Sequence, residues 1–390
     1  GAYTGNFAGV LVGKVSSSSS IYAGFELRNI NLAGAQVFSN LNKTDAQLSE
    51  YEGKIFAGST LISVKGTGAD GAAGGAVGMV VGKTTAKNIT LDNISVSCTM
   101  NNGRFAGGFI GISDSLNQTP AEYSNITVKN PRVQVSKNFA GGIFAVLGSG
   151  QNLIDSVVEV TTSEAEVTSG EIARFRETPN NELYKSAGVG GFVGVNQGTI
   201  TRPKFKGNGI YTLNSGVVGG VVGYNEGGIV GQDNNLIEDS TIKLRSEIKS
   251  ERIEIGNTAT VMGGGIFGGV VGWNTNFGSV TDIEVNGKAY AGYETVFAEN
   301  AAFYEVAYES RFTSDTTHYR VKGNMQTHAP NGDITTVYIA GIIGYNSQGA
   351  VAHNLRFATK LSAYREIDGN AKSKTFINAI SNVNKGTKDT

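Results

Sequence analysis

The chain has 390 residues, of which 55 are glycine and only 5 proline, so glycine runs at about twice its usual share. Lys and Arg (32) balance Asp and Glu (33), which argues against a nucleic-acid-backbone binder, and Val, Ile, Leu and aromatic residues recur throughout, which argues against disorder. The missing G-X-Y period excludes collagen, and no stretch reaches the roughly 18 apolar residues of a membrane-spanning helix.

Taken in chain order, one short pattern keeps returning: two small residues, two apolar residues and a glycine. It opens as Phe7-Ala8-Gly9-Val10-Leu11-Val12-Gly13 and is followed by an apolar-x-apolar run, Asn29-Ile30-Asn31-Leu32. After a break at 41–53, in which Thr44-Asp45-Ala46-Gln47-Leu48 reads as a capped helical turn, it returns as Val77-Gly78-Met79-Val80-Val81-Gly82. The run Asn93-Ile94-Ser95-Val96 comes next, and its alternation points the lone Cys98 into a core with Ile94 and Val96. Phe105-Ala106-Gly107-Gly108-Phe109-Ile110-Gly111 leads into Asn125-Ile126-Thr127-Val128, and Phe139-Ala140-Gly141-Gly142-Ile143-Phe144 leads into Ser156-Val157-Val158-Glu159-Val160. A polar break at 163–186 precedes Val189-Gly190-Gly191-Phe192-Val193-Gly194-Val195-Asn196 and Val218-Gly219-Gly220-Val221-Val222-Gly223-Tyr224-Asn225. The stretch 241–255 alternates charge with Ile and Leu and predicts an extended exposed strand. Gly268-Gly269-Val270-Val271-Gly272-Trp273-Asn274 and Asp282-Ile283-Glu284-Val285 follow, then the longest break, 286–336. Ile339-Ala340-Gly341-Ile342-Ile343-Gly344-Tyr345-Asn346 and Asn354-Leu355-Arg356-Phe357 close the series.

Both runs alternate with the two-residue period of a strand. Several successive copies stand about 30 residues apart, for example Gly78 to Gly108 and Gly191 to Gly220, and the wider gaps hold the insertions. Such a period is solenoid behaviour, each repeat burying its apolar face against its neighbours. The expected fold is therefore all-β: a right-handed parallel β-helix (β-solenoid) forming a single domain over 1–390, with two or three short strands per coil and corner insertions at 41–53, 163–186, 241–255 and 286–336. About 8 to 11 coils should result, in a stack roughly 40–50 Å long. In the last insertion Phe297, Ala301, Tyr304 and Tyr308 fall at helical spacing, which predicts a helix covering one sheet.

The segment Gly219-Gly220-Val221-Val222-Gly223-Tyr224-Asn225-Glu226-Gly227-Gly228-Ile229 resembles the GLUG motif, a glycine-rich repeat of large bacterial surface and secreted proteins, and 190–200 and 341–351 follow the same pattern. The resemblance spans nearly the whole chain. It implies a bacterial β-solenoid of the adhesin-like or immunoglobulin A peptidase-associated kind, extracellular or at the cell surface, and it does not select a function.

Chemistry-bearing motifs are sparse. His318, His328 and His353 lack the HExxH spacing and have no cysteine companions, so no metal site is expected; His353, beside Asn354, reads as a solvated turn residue. No G-x-S-x-G elbow occurs. Gly66-Thr67-Gly68-Ala69-Asp70-Gly71 fits a dinucleotide fingerprint by letter but lacks the βαβ context, and as a calcium turn it is a single copy. Asp155, Asp239 and Asp282 lie at related points of the repeat, where paired acids on one face would suit glycan hydrolysis. Each also sits beside a turn, where Asp serves local hydrogen bonding.

The expectation is a non-enzymatic extracellular adhesin or structural stalk, with no catalytic residues and no cofactor. Its partners would be a host or cell-surface glycan or protein. Tyr290, Tyr293, Phe303 and Tyr319 of the aromatic insertion are the candidate binding residues, offering rings to stack on sugar or protein. The alternatives are a self-polymerising filament joined through the solenoid ends, a carbohydrate-active β-helix enzyme, and the accessory region of a secreted peptidase. The start at Gly1 without Met leaves open a removed leader or an excerpt from a longer protein.

Overall fold

The computed structural model describes residues 7–16, 25–33, 35–39, 60–64, 71–98, 103–114, 121–135, 138–161, 165–169, 175–176, 188–207, 211–213, 217–238, 244–247, 261–262, 266–275, 277–286, 303–307, 335–347, 349–357, 362–364, 373–378, 381–384 and 387–389. Among these there is strand and turn but no helix. The third coil shows the repeating unit: strands Gly103–Gly107, Ile110–Asp114, Ala121–Lys129 and Arg132–Val135, one for each of four sheets. The coil thus has four sides, where the sequence predicted two or three. Among the described residues the first and second sheets hold nine strands each, the third eleven and the fourth nine, which makes nine coils of a parallel β-solenoid. At about 4.8 Å per coil the stack is about 40 Å long.

The expected inward ladders form the core. In the first sheet Ala8, Ala73, Ala106, Ala140, Val189 and Val218 stand in register and are buried. In the third, Leu27, Ala86, Tyr123, Leu153, Ile200, Val230, Val280 and Ala352 do the same over eight coils. Cys98 is buried, in line with Ile94 and Val96.

The recurring glycines serve a closer contact. The first and second sheets fold back on each other with almost no side-chain layer between them. A Cβ on Gly219 would overlap the carbonyl oxygen of Val222 and lie 2.7 Å from the backbone nitrogen of Gly272 in the next coil. Gly74, Gly107, Gly141, Gly190 and Gly268 face the same obstruction in their own coils. The small-small-apolar-apolar-Gly pattern is therefore the sequence of a seam at which two backbones touch.

Where the second sheet turns into the third, a buried column of asparagines runs along the axis. Asn196 Nδ2 donates to Asn225 Oδ1, Asn225 Nδ2 to Asn274 Oδ1, and Asn274 Nδ2 to Asn346 Oδ1, each at 2.8 Å. All four side chains are fully buried. Their amides also serve the turn: Asn225 Nδ2 donates to the carbonyls of Gly228 and Ser279, and Gly198 N donates to Asn196 Oδ1. In earlier coils the column holds Ser113 and Leu147. There Ser113 hydrogen-bonds Tyr123 and Gln151, and burial pushes the Tyr123 hydroxyl far above its ordinary range, so it remains protonated.

Two sequence expectations change. Phe303–Ala307 is a strand, not part of a helix: it pairs antiparallel with Leu244–Glu247 on one side and Ser362–Tyr364 on the other. Of the four residues at helical spacing only Tyr304 lies in this strand, where the Phe-Tyr-Glu-Val run suits an extended chain and the flanking strands supply the partners; Phe297, Ala301 and Tyr308 lie outside the described residues. Secondly, the insertions expected at 163–186 and 241–255 each contain a strand of the stack. Glu166–Ser169 and Leu244–Glu247 are the fourth-sheet strands of their coils, although the extended conformation expected for 241–255 does hold at Leu244–Glu247. In addition, Thr60–Val64 adds a strand outside Ala35–Ser39, at the outer edge of the fourth sheet. The helical turn expected at Thr44 to Leu48 lies outside the described residues.

Candidate functional site

Of the aromatic candidates, Phe303 begins a fourth-sheet strand opposite Glu247, while Tyr290, Tyr293 and Tyr319 lie outside the described residues. Asp239, His318, His328 and 66–70 lie outside them as well. His353 is exposed, but it sits within the strand Val351–Phe357, between Thr281 and Asp389 in register, and not in a turn. Among the described residues no cluster of three or more His, Cys, Asp or Glu could hold a metal ion.

Asp155 belongs to a column on the outside of the third sheet. Asn29, Asn88, Asn125, Asp155 and Arg202 occupy it in five successive coils, each in the left-handed region with φ between 50° and 58°. Asn and Asp tolerate this conformation because their short side chains bond locally. Here they also bond along the stack: Asn125 Nδ2 donates to Asn88 Oδ1 (2.8 Å) and Asn88 Nδ2 to Asn29 Oδ1 (3.1 Å). The next step is an ion pair, Arg202 Nε to Asp155 Oδ1 at 2.6 Å and Nη2 to Oδ2 at 2.9 Å. Asp282 stands at the related position three coils after Asp155. Three steps of about 4.8 Å separate their backbones by about 14 Å, beyond the roughly 5–9.5 Å of a hydrolytic carboxylate pair. The structure therefore brings Asp155 to Arg202 and not to Asp282.

The hydrogen bonds from Arg202 hold the Asp155 carboxyl below its usual range against partial desolvation, and the charges of Arg202 and Lys204 add to this. Because the folded-state value is depressed, the pair stabilises the fold above the ordinary carboxylate range, near pH 3.9. That contribution fades as pH falls through the depressed value. Both side chains are more than one-third exposed, so Asp155→Asn should cost no more than about 1 kcal/mol at neutral pH. Thermal melts of the parent and the variant should converge in acid. A gap that widens below pH 4 would contradict this.

The corner between the second and third sheets carries a residue that the sequence reading passed over. Asn152, Thr199, Ile229, Ser279 and Val351 stand in register; before Thr199 a shorter turn places Gln197 outside the left-handed region, and two positions before each of the other four the chain turns through it. Three coils place glycine there: Gly150 (φ 74°), Gly227 (φ 70°) and Gly349 (φ 80°). The fourth places Phe277, at φ 64°. The residue is 82% exposed, and one edge of its ring lies over Gly349 of the next coil, 3.0 Å from where a Cβ would stand. The turn is closed by Gly278 N donating to the carbonyl of Thr275 (2.9 Å), and the next one by Ala350 N to Ser347 (3.1 Å). Trp273 Nε1 fixes the Ser347 hydroxyl at 2.7 Å. Aligning the tails of the repeats, Asn225-Glu226-Gly227-Gly228 against Asn274-Thr275-Asn276-Phe277-Gly278, is the sequence signal that would have found it.

Comparison of the chain with protein-family models, with curated proteins and with solved structures finds no match.

Proposed function

We propose that this chain is an extracellular bacterial surface protein whose solenoid works without catalysis, as an adhesin or a structural stalk. The observation that carries the reading is the continuous register of the second sheet through nine coils, braced by side-chain hydrogen bonds that run along the axis in two columns. Bonds in that direction resist bending and shear between coils. A rod of this kind supplies reach and a regular side face, on which corner residues are held at fixed spacing. The resemblance of 219–229 to a repeat of secreted and surface proteins points the same way. Against the carbohydrate-active alternative stands the pairing of Asp155 with Arg202, which commits that carboxylate to the scaffold.

The test uses the full chain fixed to beads. Retention on polysaccharide- or protein-coated surfaces, with no release of reducing ends or unsaturated products from the same polysaccharides, is the expected result. Turnover that disappears in Asp155→Asn would make the chain an enzyme instead.

A further inference from the structure

We propose that Phe277 is the platform of a saccharide-binding subsite at the corner between the second and third sheets; this rests on the adhesin reading and names the class of ligand. The first support is conformational. A bulky residue at positive φ is an outlier, and here the same corner is glycine in the coils on either side, Gly227 and Gly349. Folding alone favours glycine at this point. An aromatic residue held there against the local preference, and left 82% exposed, contributes little to the core. Strain retained by a residue that does not pack inward is the pattern of a functional position.

The second support is presentation. The absence of a side chain on Gly349 lets the Phe277 ring settle against its backbone, so the ring is steadied by its own scaffold before any ligand arrives. A pre-positioned aromatic surface loses little entropy on binding.

The third support is the surroundings. Val351, 37% exposed, is a second apolar group on the same coil as Gly349. Thr275, Ser279 and Ser347 are half-buried hydroxyl residues on the two turns, and Ser347 is oriented by Trp273. A protein partner usually needs several clustered anchors within roughly 800 Å² per side. One ring with a hydroxyl rim matches a pyranose better: its C–H face lies on the aromatic surface and its hydroxyls meet the rim.

The experiment compares the full chain with Phe277→Gly and Phe277→Tyr by affinity electrophoresis through mannan, galactan, xylan and mixed-linkage β-glucan. At least one of these should retard the parent chain. Phe277→Gly should weaken that retardation tenfold or more while its melting temperature stays level or rises, since glycine suits the backbone there. Phe277→Tyr should bind within about threefold of the parent, as stacking requires. Equal retardation of parent and Phe277→Gly, or no retardation of the parent by any of the four, overturns the subsite. Adherence to protein-coated beads that survives periodate oxidation of their glycans and is lost in Phe277→Gly would make the corner a protein-docking site and overturn it too. Adherence that is indifferent to Phe277 leaves the broader adhesin reading standing, whereas a chain that adheres to no surface removes both.

Discussion

Gly219→Val is expected to destabilise the solenoid by at least about 3 kcal/mol, because overpacking here meets backbone and not a side chain that can rotate away. The Cβ would overlap the Val222 carbonyl in its own coil and press on Gly272 N in the next. Relief requires the first and second sheets to separate, and that seam is shared by coils on both sides. Stacked coils draw stability from their neighbours, so damage at one step spreads along the stack. Guanidinium denaturation followed by circular dichroism measures it, through a lowered midpoint and a shallower transition. Val218→Ile, changed on the neighbouring inward-facing residue of the same strand, is the control and should shift the midpoint far less. If both variants unfold like the parent, the two backbones do not touch as described.

Asn225→Leu is the second large effect. The column itself shows that leucine fits in size, since Leu147 occupies it in the fourth coil, in register with Asn196. The substitution therefore removes hydrogen bonds with little change in volume. It strands one amide hydrogen of Asn196 and the Oδ1 of Asn274 in a buried corner, and it takes a donor from the carbonyls of Gly228 and Ser279, while Asn196 Nδ2 keeps the Ile229 carbonyl and Gly228 O keeps Ser279 N. Each buried unsatisfied group costs about 1–3 kcal/mol. After partial relaxation a net loss of about 3–5 kcal/mol is expected. Hydrogen exchange should place the loosened amides at the corners of the coils on both sides. A loss below about 1 kcal/mol would mean that the ladder is decorative.

The seam and the inward ladders were legible in the sequence because both repeat at short fixed intervals: Gly219, Gly223 and Val218 declare themselves by size and period. The fourth side of the coil was not. Its strands, such as Glu166–Ser169 and Leu244–Glu247, carry no glycine signature and show mixed polar residues, so they merged with the insertions beside them. At Phe303–Ala307 the helical and extended patterns competed within a few residues, and pairing with Leu244–Glu247 decided the outcome. The Tyr-Asn tail was visible as a motif, yet its purpose depends on stacking: one Asn has no ladder, and four in register do. Phe277 escaped notice for the opposite reason, because it departs from the repeat, and departures show only after the coils are aligned. Asp155 and Asp282 share a repeat position as expected, but the chemistry of that position is set by the coil next door, which supplies Arg202 to Asp155.

These features bear together on function. Axial hydrogen bonds in two columns and a backbone seam along a third line give a scaffold that holds a surface residue in place over many coils. That rigidity is what an adhesin face or a stalk requires, and it fixes the Phe277 corner relative to the rest of the rod.

The most direct test of that account is a distance along the column. Glu122 and Val351 are both exposed on the third sheet and are linked by five register steps through Asn152, Thr199, Ile229 and Ser279. Five steps of about 4.8 Å place their backbones about 24 Å apart, although 229 residues of chain separate them. Spin labels at these two sites, in a background with Cys98→Ala, should give a single narrow distance distribution centred near that value by double electron–electron resonance. A broad distribution, or a centre beyond about 40 Å, would contradict the in-register stack.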